Sequence, residues 1–269
     1  MTASTHHTLA AEDLTLAYDR DPIVRDLSVQ VPTGKITCIV GANACGKSTL
    51  LRGLARLMKP STGTVLLDGE SIQTMSTRTV ATRLGILPQG PIAPDGITVA
   101  DLVAQGRSPH QQWLRRWSAT DEQVIVDAMR ATGTLELADR AVDQLSGGQR
   151  QRVWIAMTLA QGTDLMLLDE PTTFLDIAHQ VEVLDLMVDL NRDQDRTVVM
   201  VLHDLNQAAL YSDHLVAMRD GRIVASGAPA EVITEELVHE VFGLTCRVVL
   251  DEVTGSPHVF PMGRHHRRP

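Results

Sequence analysis

Gly41-Ala42-Asn43-Ala44-Cys45-Gly46-Lys47-Ser48-Thr49 constrains this chain more than any other stretch. An apolar run, Ile36-Thr37-Cys38-Ile39-Val40, leads into it. Leu50, Leu51, Leu54, Ala55, Leu57 and Met58 follow at helical spacing as far as Pro60. The loop therefore joins a strand to a helix. That context lets the pattern G-x-x-x-x-G-K-[ST] hold a polyphosphate. Backbone N–H groups and the helix N-terminus face the phosphates, Lys47 reaches the β and γ groups, and Ser48 offers a hydroxyl to Mg²⁺. Gly41 and Gly46 let the backbone turn and approach with no Cβ in the way, and Asn43, Ala44, Cys45 and Thr49 complete the loop. An ordinary glycine-rich turn needs neither flank, so the stretch reads as a nucleoside triphosphate site.

The 269 residues suffice for one large α/β domain or two small ones. A formal net charge of −9 makes the chain a poor holder of nucleic acid by bulk charge. Neither a leader-like start nor an apolar run near ~18 residues occurs, so a soluble cytosolic protein is expected. Cys38, Cys45 and Cys246 sit in no metal-like spacing. Cys38 reads as a strand core residue. Cys45, near a helix N-terminus, is either a thiol of lowered pKa or a simple loop filler.

Before the loop, Leu14–Tyr18 and Leu27–Val31 alternate as antiparallel strands, divided by Asp21-Pro22 and Pro32-Thr33-Gly34. Tyr18 is either a base-stacking ring or a half-buried strand residue. After the first helix, residues 65–72 read as strand, Asp-Gly turn and return. A helix over 77–83 and an apolar strand ending at Gln89 follow, then a turn-rich loop to Gly96. From Val99 to Gln144 the periodicity is helical, with Thr120-Asp121-Glu122-Gln123 as a capping box and Gly133 closing its helix. Trp113-Leu114-Arg115-Arg116-Trp117 is either a protein contact or packing aromatics beside solvated arginines.

Ser146-Gly147-Gly148-Gln149, opening an apolar helix, is a second anion site, and one nucleotide cannot easily use both. Residues 163–170 form a buried parallel strand ending in two acids. Asp169 suits Mg²⁺, and Glu170 suits a general base for the attacking water. An amphipathic helix over Ile177–Asn191 and a strand over 197–202 deliver His203 to a strand's C-terminal end, where such sheets bind ligands. A hairpin around Asp220-Gly221, a helical tail from Ala230 to Phe242 and a strand pair around Asp251–Phe260 finish the chain. Arg264-His265-His266-Arg267-Arg268 reads as a basic tail rather than a metal or acidic-surface site.

The phosphate loop, Gln89, Leu145–Gln149, Asp169-Glu170, Asp176 and His203 resemble, in order and spacing, the ATPase subunit of an ABC-type transporter. The resemblance covers about residues 9–245, with residues 246–269 as extension and tail. It implies an α/β P-loop NTPase of ABC type: a RecA-like core, an antiparallel β subdomain, and an inserted helical subdomain near residues 97–160. It further implies ATP and Mg²⁺ as cofactors and two chains packed head to tail. ATP would lie between the phosphate loop of one chain and Ser146, Gly147, Gly148 and Gln149 of the other. Tyr18 would stack on adenine, Gln89 touch Mg²⁺ and relay to the permease, Asp176 cross the dimer, and His203 contact the γ phosphate. Lys47, Glu170 and His203 would carry catalysis, with Ser48, Gln89 and Asp169 around the metal.

Two departures stand out. Ala42 and Ala44 replace residues usual in the family's loop, and Ala44's Cβ is tolerable if its φ is negative. Residues 138–144 look like the importer type. Gly106-Arg107-Ser108-Pro109, Pro171–Gln180, Val241–Leu244 and Asp251–Pro257 are similar to the ATPases of iron–siderophore importers, a group that also serves cobalamin and haem. The implied role is an ATPase pair on the cytoplasmic face of the membrane, under a permease fed by an extracytoplasmic binding protein. A soluble ABC ATPase for cluster assembly or DNA repair is the alternative. A P-loop kinase or GTPase is disfavoured by Leu145–Gln149 and by the lack of Asn-Lys-x-Asp.

Overall fold

A computed structural model of the chain describes residues 6–19, 21–111 and 118–263. Contacts divide the chain into two compact units. One is built on Thr74–Val198 with the N-terminal end, the other on Thr8–Gln73 with Val199 onwards.

The second unit opens with β1 (Leu9–Tyr18), β2 (Asp21–Val31) and β3 (Ile36–Gly41), then α1 (Lys47–Leu54), β4 (Thr62–Leu67) and β5 (Glu70–Ser71). Four of these strands make an antiparallel sheet in the order β2-β1-β4-β5. On β1 the buried residues are Leu9, Ala11, Leu14 and Leu16. That run breaks strict alternation because the register shifts between Ala11 and Leu14, where Asp13 takes a φ of 48°. The bulge turns Leu14 and Leu16 back to the face on which α1 packs: a Cβ on Gly53 would lie 2.5 Å from Leu16 Cδ1. The helix is shorter than its apolar periodicity. It ends at Leu54, Arg56 enters the left-handed region at φ 61°, and Leu57 is left 58% exposed.

The first unit carries α2 (Thr77–Arg83), β6 (Leu84–Leu87), α3 (Val99–Gln105), α4 (Ala119–Ala131), α5 (Gly147–Ala160), β7 (Leu165–Asp169) and α6 (Ile177–Gln194). Strands β6 and β7 run parallel, and β7 is buried throughout, as an interior parallel strand must be. Helices α3 and α4 pack on α5. Gly106 permits this closeness, since a Cβ there would sit 2.3 Å from Met157 O. The cap of α4 is Ser118, whose Oγ accepts from Asp121 N at 3.1 Å while the Asp121 carboxylate accepts from Ser118 N. The Thr120–Gln123 box expected from sequence is therefore displaced by two residues. Gly133, at φ 61°, closes the helix as expected. Trp113–Trp117 lies outside the described residues.

Strand β8 (Thr197–Val201) carries the chain from one unit to the other. Then follow α7 (Leu205–Tyr211), β9 (His214–Arg219), β10 (Arg222–Gly227), α8 (Pro229–Val232), α9 (Glu235–Phe242), β11 (Cys246–Leu250) and β12 (Pro257–Pro261). Strand β3, buried at all six positions, runs parallel to β9, which pairs with β10 through Asp220-Gly221. Two terminal readings need correction. The helical tail is two helices: α8 ends at Val232 with Ile233 extended, and the Thr234 hydroxyl caps α9 through Leu237 N. The strand pair is β11 with β12, and Asp251–Ser256 is the turn between them, held by Asp251 Oδ1 accepting from Val253 N and Thr254 N. Arg264–Arg268 lies outside the described residues.

Candidate nucleotide site

In the second unit, β3 ends at Gly41 and α1 starts at Lys47, so the phosphate loop spans a strand end and a helix N-terminus. Gly41 lies against Met218 O and Cys45 Sγ, at 2.3 and 2.7 Å from an added Cβ. Gly46 is the N-cap of α1 at φ 105° and supplies no side-chain acceptor, which leaves the first N–H groups of the helix to another anion. Lys47, only 5% exposed, donates from Nζ to Gly41 O at 2.9 Å and to Ala42 O at 3.0 Å. Two of its three ammonium protons thus fix it over the loop, and the third has the reach of a phosphate oxygen. Thr49 is buried, Ser48 half-buried, and Asn43 and Ala44 face solvent.

One sequence expectation fails here, and one open alternative narrows. Ala44 adopts φ 61°, so the tolerance that assumed a negative φ is lost, and the residue carries a left-handed strain of roughly 1–2 kcal/mol. Cys45 is buried, and burial pushes its thiol up despite the opposing charge of Lys47. Burial thus favours the loop-filler reading of this cysteine. Cys38 is fully buried in β3, as expected. Tyr18 is 47% exposed at the end of β1, its hydroxyl accepting from Arg52 Nη1 at 3.0 Å. His203 is exposed just beyond β8, beside Asp204, which caps α7 through Asn206 N and Gln207 N.

In the first unit, Asp169 is the last residue of β7 and 2% exposed. Glu170 follows at φ 54°, a left-handed conformation uncommon for a residue other than glycine. Thr173 Oγ1 donates to Glu170 Oε2 at 3.1 Å and Thr173 N to Glu170 O at 3.2 Å, which ties the carboxylate to its own loop. Gln151 Nε2 donates to Pro171 O at 3.1 Å, so α5 also holds this loop. Gln89 is exposed two residues after β6. Sequence reasoning missed Thr173 and Gln151; a hydroxyl three residues after an acid was the one signal for the former.

Ser146 caps α5 as expected. Its Oγ accepts from Gln149 N at 3.2 Å, and Gln149 Oε1 accepts from Ser146 N at 3.1 Å. Ser146 and Gly147 are exposed. A cleft of about 510 Å³ opens beside them, walled by Ser146–Gln149 and Arg152 on one side and Phe174–Asp176 and His179 on the other. Asp176 caps α6. Hydrogen bonds from the backbone and ring of His179 hold its carboxyl below the usual carboxylate range.

A family model described as ABC transporter matches residues 24–173. "Probable siderophore transport system ATP-binding protein YusV" of Bacillus subtilis (strain 168) is 56% identical over 256 residues, 95% of this chain and 93% of that protein. Ferric enterobactin transport ATP-binding protein FepC of Escherichia coli (strain K12) is 54% identical over 256 residues, 95% and 94% of the two chains. Among solved structures, a chain described as a metal-chelate type ABC transporter in an inward-facing conformation is 30% identical, with a TM-score of 0.81 over 97% of this chain and 99% of that one. The dimeric MJ0796 cassette, at 23% identity and TM-score 0.75 over 82% and 98%, shares the fold. Matched by the family model over more than half its length and over 50% identical to import ATP-binding proteins along most of its length, the chain belongs to the ABC transporter family as an ATP-binding protein.

Proposed function

We propose that this chain is an ATPase subunit that pairs with a second copy beneath a membrane permease and powers the uptake of ferric siderophores into the cytoplasm. The observation that carries the reading is the exposed Ser146–Gln149 helix start, an anion-binding face that a nucleotide on the same chain's phosphate loop does not need. Names of relatives over 50% identical supply the cargo class. Among the described residues no helix is long and apolar enough to cross a membrane; in this reading the permease carries the translocation.

In this reading Lys47 and the N–H groups of α1 bind the triphosphate, and Tyr18 stacks on adenine. Ser48 and Asp169, with Gln89, would hold Mg²⁺. A hydroxyl, a carboxylate and an amide oxygen are hard donors of the kind this ion prefers. The ion, when bound, neutralises charge on the phosphates. Glu170, oriented by Thr173, accepts a proton from the water that attacks the γ phosphorus in line, while His203 contacts the γ phosphate. Catalysis comes from positioning and charge neutralisation. Ser146, Gly147, Gly148, Gln149 and Asp176 meet the nucleotide and phosphate loop of the second copy. Hydrolysis separates the copies.

Glu170→Gln tests the chemistry: turnover is lost while ATP stays bound and the copies stay paired. Unchanged hydrolysis in that variant would remove Glu170 from its role. Uptake of radioiron-loaded siderophore by cells carrying Glu170→Gln as their sole copy tests the cargo, and undiminished uptake would refute it.

A further inference from the structure

Asp176 and His179 are bonded twice. Asp176 Oδ1 accepts from His179 N at 2.9 Å, an ordinary helix cap, and from His179 Nδ1 at 2.7 Å. A carboxylate only accepts, so Nδ1 carries the proton. Both donors converge on one oxygen, and among the described residues Oδ2 has no hydrogen-bond partner. The side chain is 68% exposed and lines the cleft beside Ser146. Phe174 and Ile177, each 80% exposed, flank it. Bare apolar side chains on both sides of a pinned carboxylate suit a surface covered by another protein.

We infer that His179 is a positioning residue for pairing: it locks Asp176 in one rotamer so that Oδ2 is delivered across the cleft to the second copy. The inference rests on the pairing proposed above. An exposed aspartate otherwise samples several rotamers, and ordering it on association costs affinity. The imidazole removes that cost in advance, and the backbone cap alone cannot, because it leaves the carboxylate with one tether.

The test uses the full chain with Glu170→Gln, in which ATP holds the copies together. Sedimentation with ATP reads the pairing constant, and a fluorescent ATP analogue at high dilution reads binding by single copies. His179→Ala should weaken pairing about 3- to 10-fold per copy, hence roughly 10- to 100-fold for two, with single-copy ATP binding unchanged. His179→Asn, whose amide can donate from near the Nδ1 position, should restore pairing. His179→Gln, whose donor lies further out, should not. Pairing of His179→Ala at full strength overturns the inference, and so does His179→Asn behaving like His179→Ala. If Glu170→Gln alone fails to pair with ATP, the pairing reading itself falls.

Discussion

Gly69 and Gly221 sit in the same turn chemistry and in opposite surroundings, which turns a qualitative claim about close approach into a measurable difference. Both follow an aspartate in a hairpin, Asp68 at φ 57° and Asp220 at φ 50°, and both glycines have φ 78°. Positive φ at both central residues marks each as a turn of I′ type. A Cβ on Gly69 meets nothing within 4 Å, whereas one on Gly221 would lie 2.0 Å from Ile23 O and 2.9 Å from Ile23 C. Gly221 also donates to Cys45 O at 3.0 Å and accepts from Arg25 N at 2.9 Å, so this turn is wedged between β2 and the base of the phosphate loop. For Gly69→Ala, a left-handed penalty of roughly 1–2 kcal/mol is partly offset by about 0.4–1 kcal/mol from a less free unfolded chain. The net loss is about 1 kcal/mol. Gly221→Ala bears the same loss. It must also open over 1 Å to reach an ordinary carbon–oxygen contact of roughly 3.3–3.6 Å. Overpacking against backbone costs about 1–3 kcal/mol and two stretched hydrogen bonds up to about 1 kcal/mol each. Gly221→Ala should therefore be less stable than Gly69→Ala by about 2–4 kcal/mol in urea unfolding, and should also bind ATP more weakly because Cys45 O moves. Two variants within about 0.5 kcal/mol of each other would refute the close-approach argument.

Cys38 gives a pH test. Burial pushes its thiol from 9.0 up to about 12, with Asp213 adding to the rise and a hydrogen bond with Ser212 opposing it. A folded pKa above the unfolded value means that stability is intact below pH 9 and falls as pH climbs from 9 toward 12, at up to about 1.4 kcal/mol per unit. Cys38→Ala should flatten that alkaline slope in urea midpoints taken at pH 8 and pH 10; an unaltered slope would clear Cys38 of responsibility. Thr173→Val should lower kcat for ATP about tenfold with KM nearly unchanged, by releasing the Glu170 carboxylate, and Thr173→Ser should restore it. A normal kcat in Thr173→Val would show that the 3.1 Å bond does not orient the base. Arg107 bonds Asp121 Oδ1 and Ala160 O, each at 2.9 Å, with both charged side chains less than one-fifth exposed. Arg107→Ala should cost about 3 kcal/mol, and Arg107→Lys, which has no fork to span both acceptors, should recover less than half of it. Equal melting of Arg107→Lys and the parent would show that a point charge suffices.

What could be read from sequence was whatever neighbouring residues decide between themselves. The strand–loop–helix around Lys47, the cap at Ser146, the apolar run before Asp169 and the Asp-Gly turns carry their instructions within a few positions, and each forms as written. Failures came where a distant residue chooses between local options. Ser118-x-x-Asp121 and Thr120-x-x-Gln123 are overlapping capping boxes of equal quality on paper. Arg107, fourteen positions upstream, bonds Asp121 and favours the first. The bulge at Asp13 and the left-handed Ala44 and Glu170 likewise depend on partners far along the chain or on the loop they close.

A subtler shortfall concerns residues whose bonds close within one chain and whose purpose lies outside it. Ser146 and Asp176 are both complete helix caps, which explains a serine and an aspartate at those positions. Capping explains neither the glycine pair after Ser146 nor Phe174 and Ile177 held bare at 80% exposure on either side of Asp176. A Cβ on Gly148 would come within 3.2 Å of Leu175 Cδ2, so that glycine also lets the Glu170–Asp176 loop rest against the start of α5. Gly147 has no such demand, its nearest neighbour being Phe174 Cβ at 3.5 Å. Its lack of a side chain thus answers to something approaching from solvent. A Gly147→Ala chain should fold with parental stability and yet fail to pair around ATP. A variant that lost stability in proportion to pairing would instead make Gly147 a packing residue and remove the argument for a face shaped by a second copy.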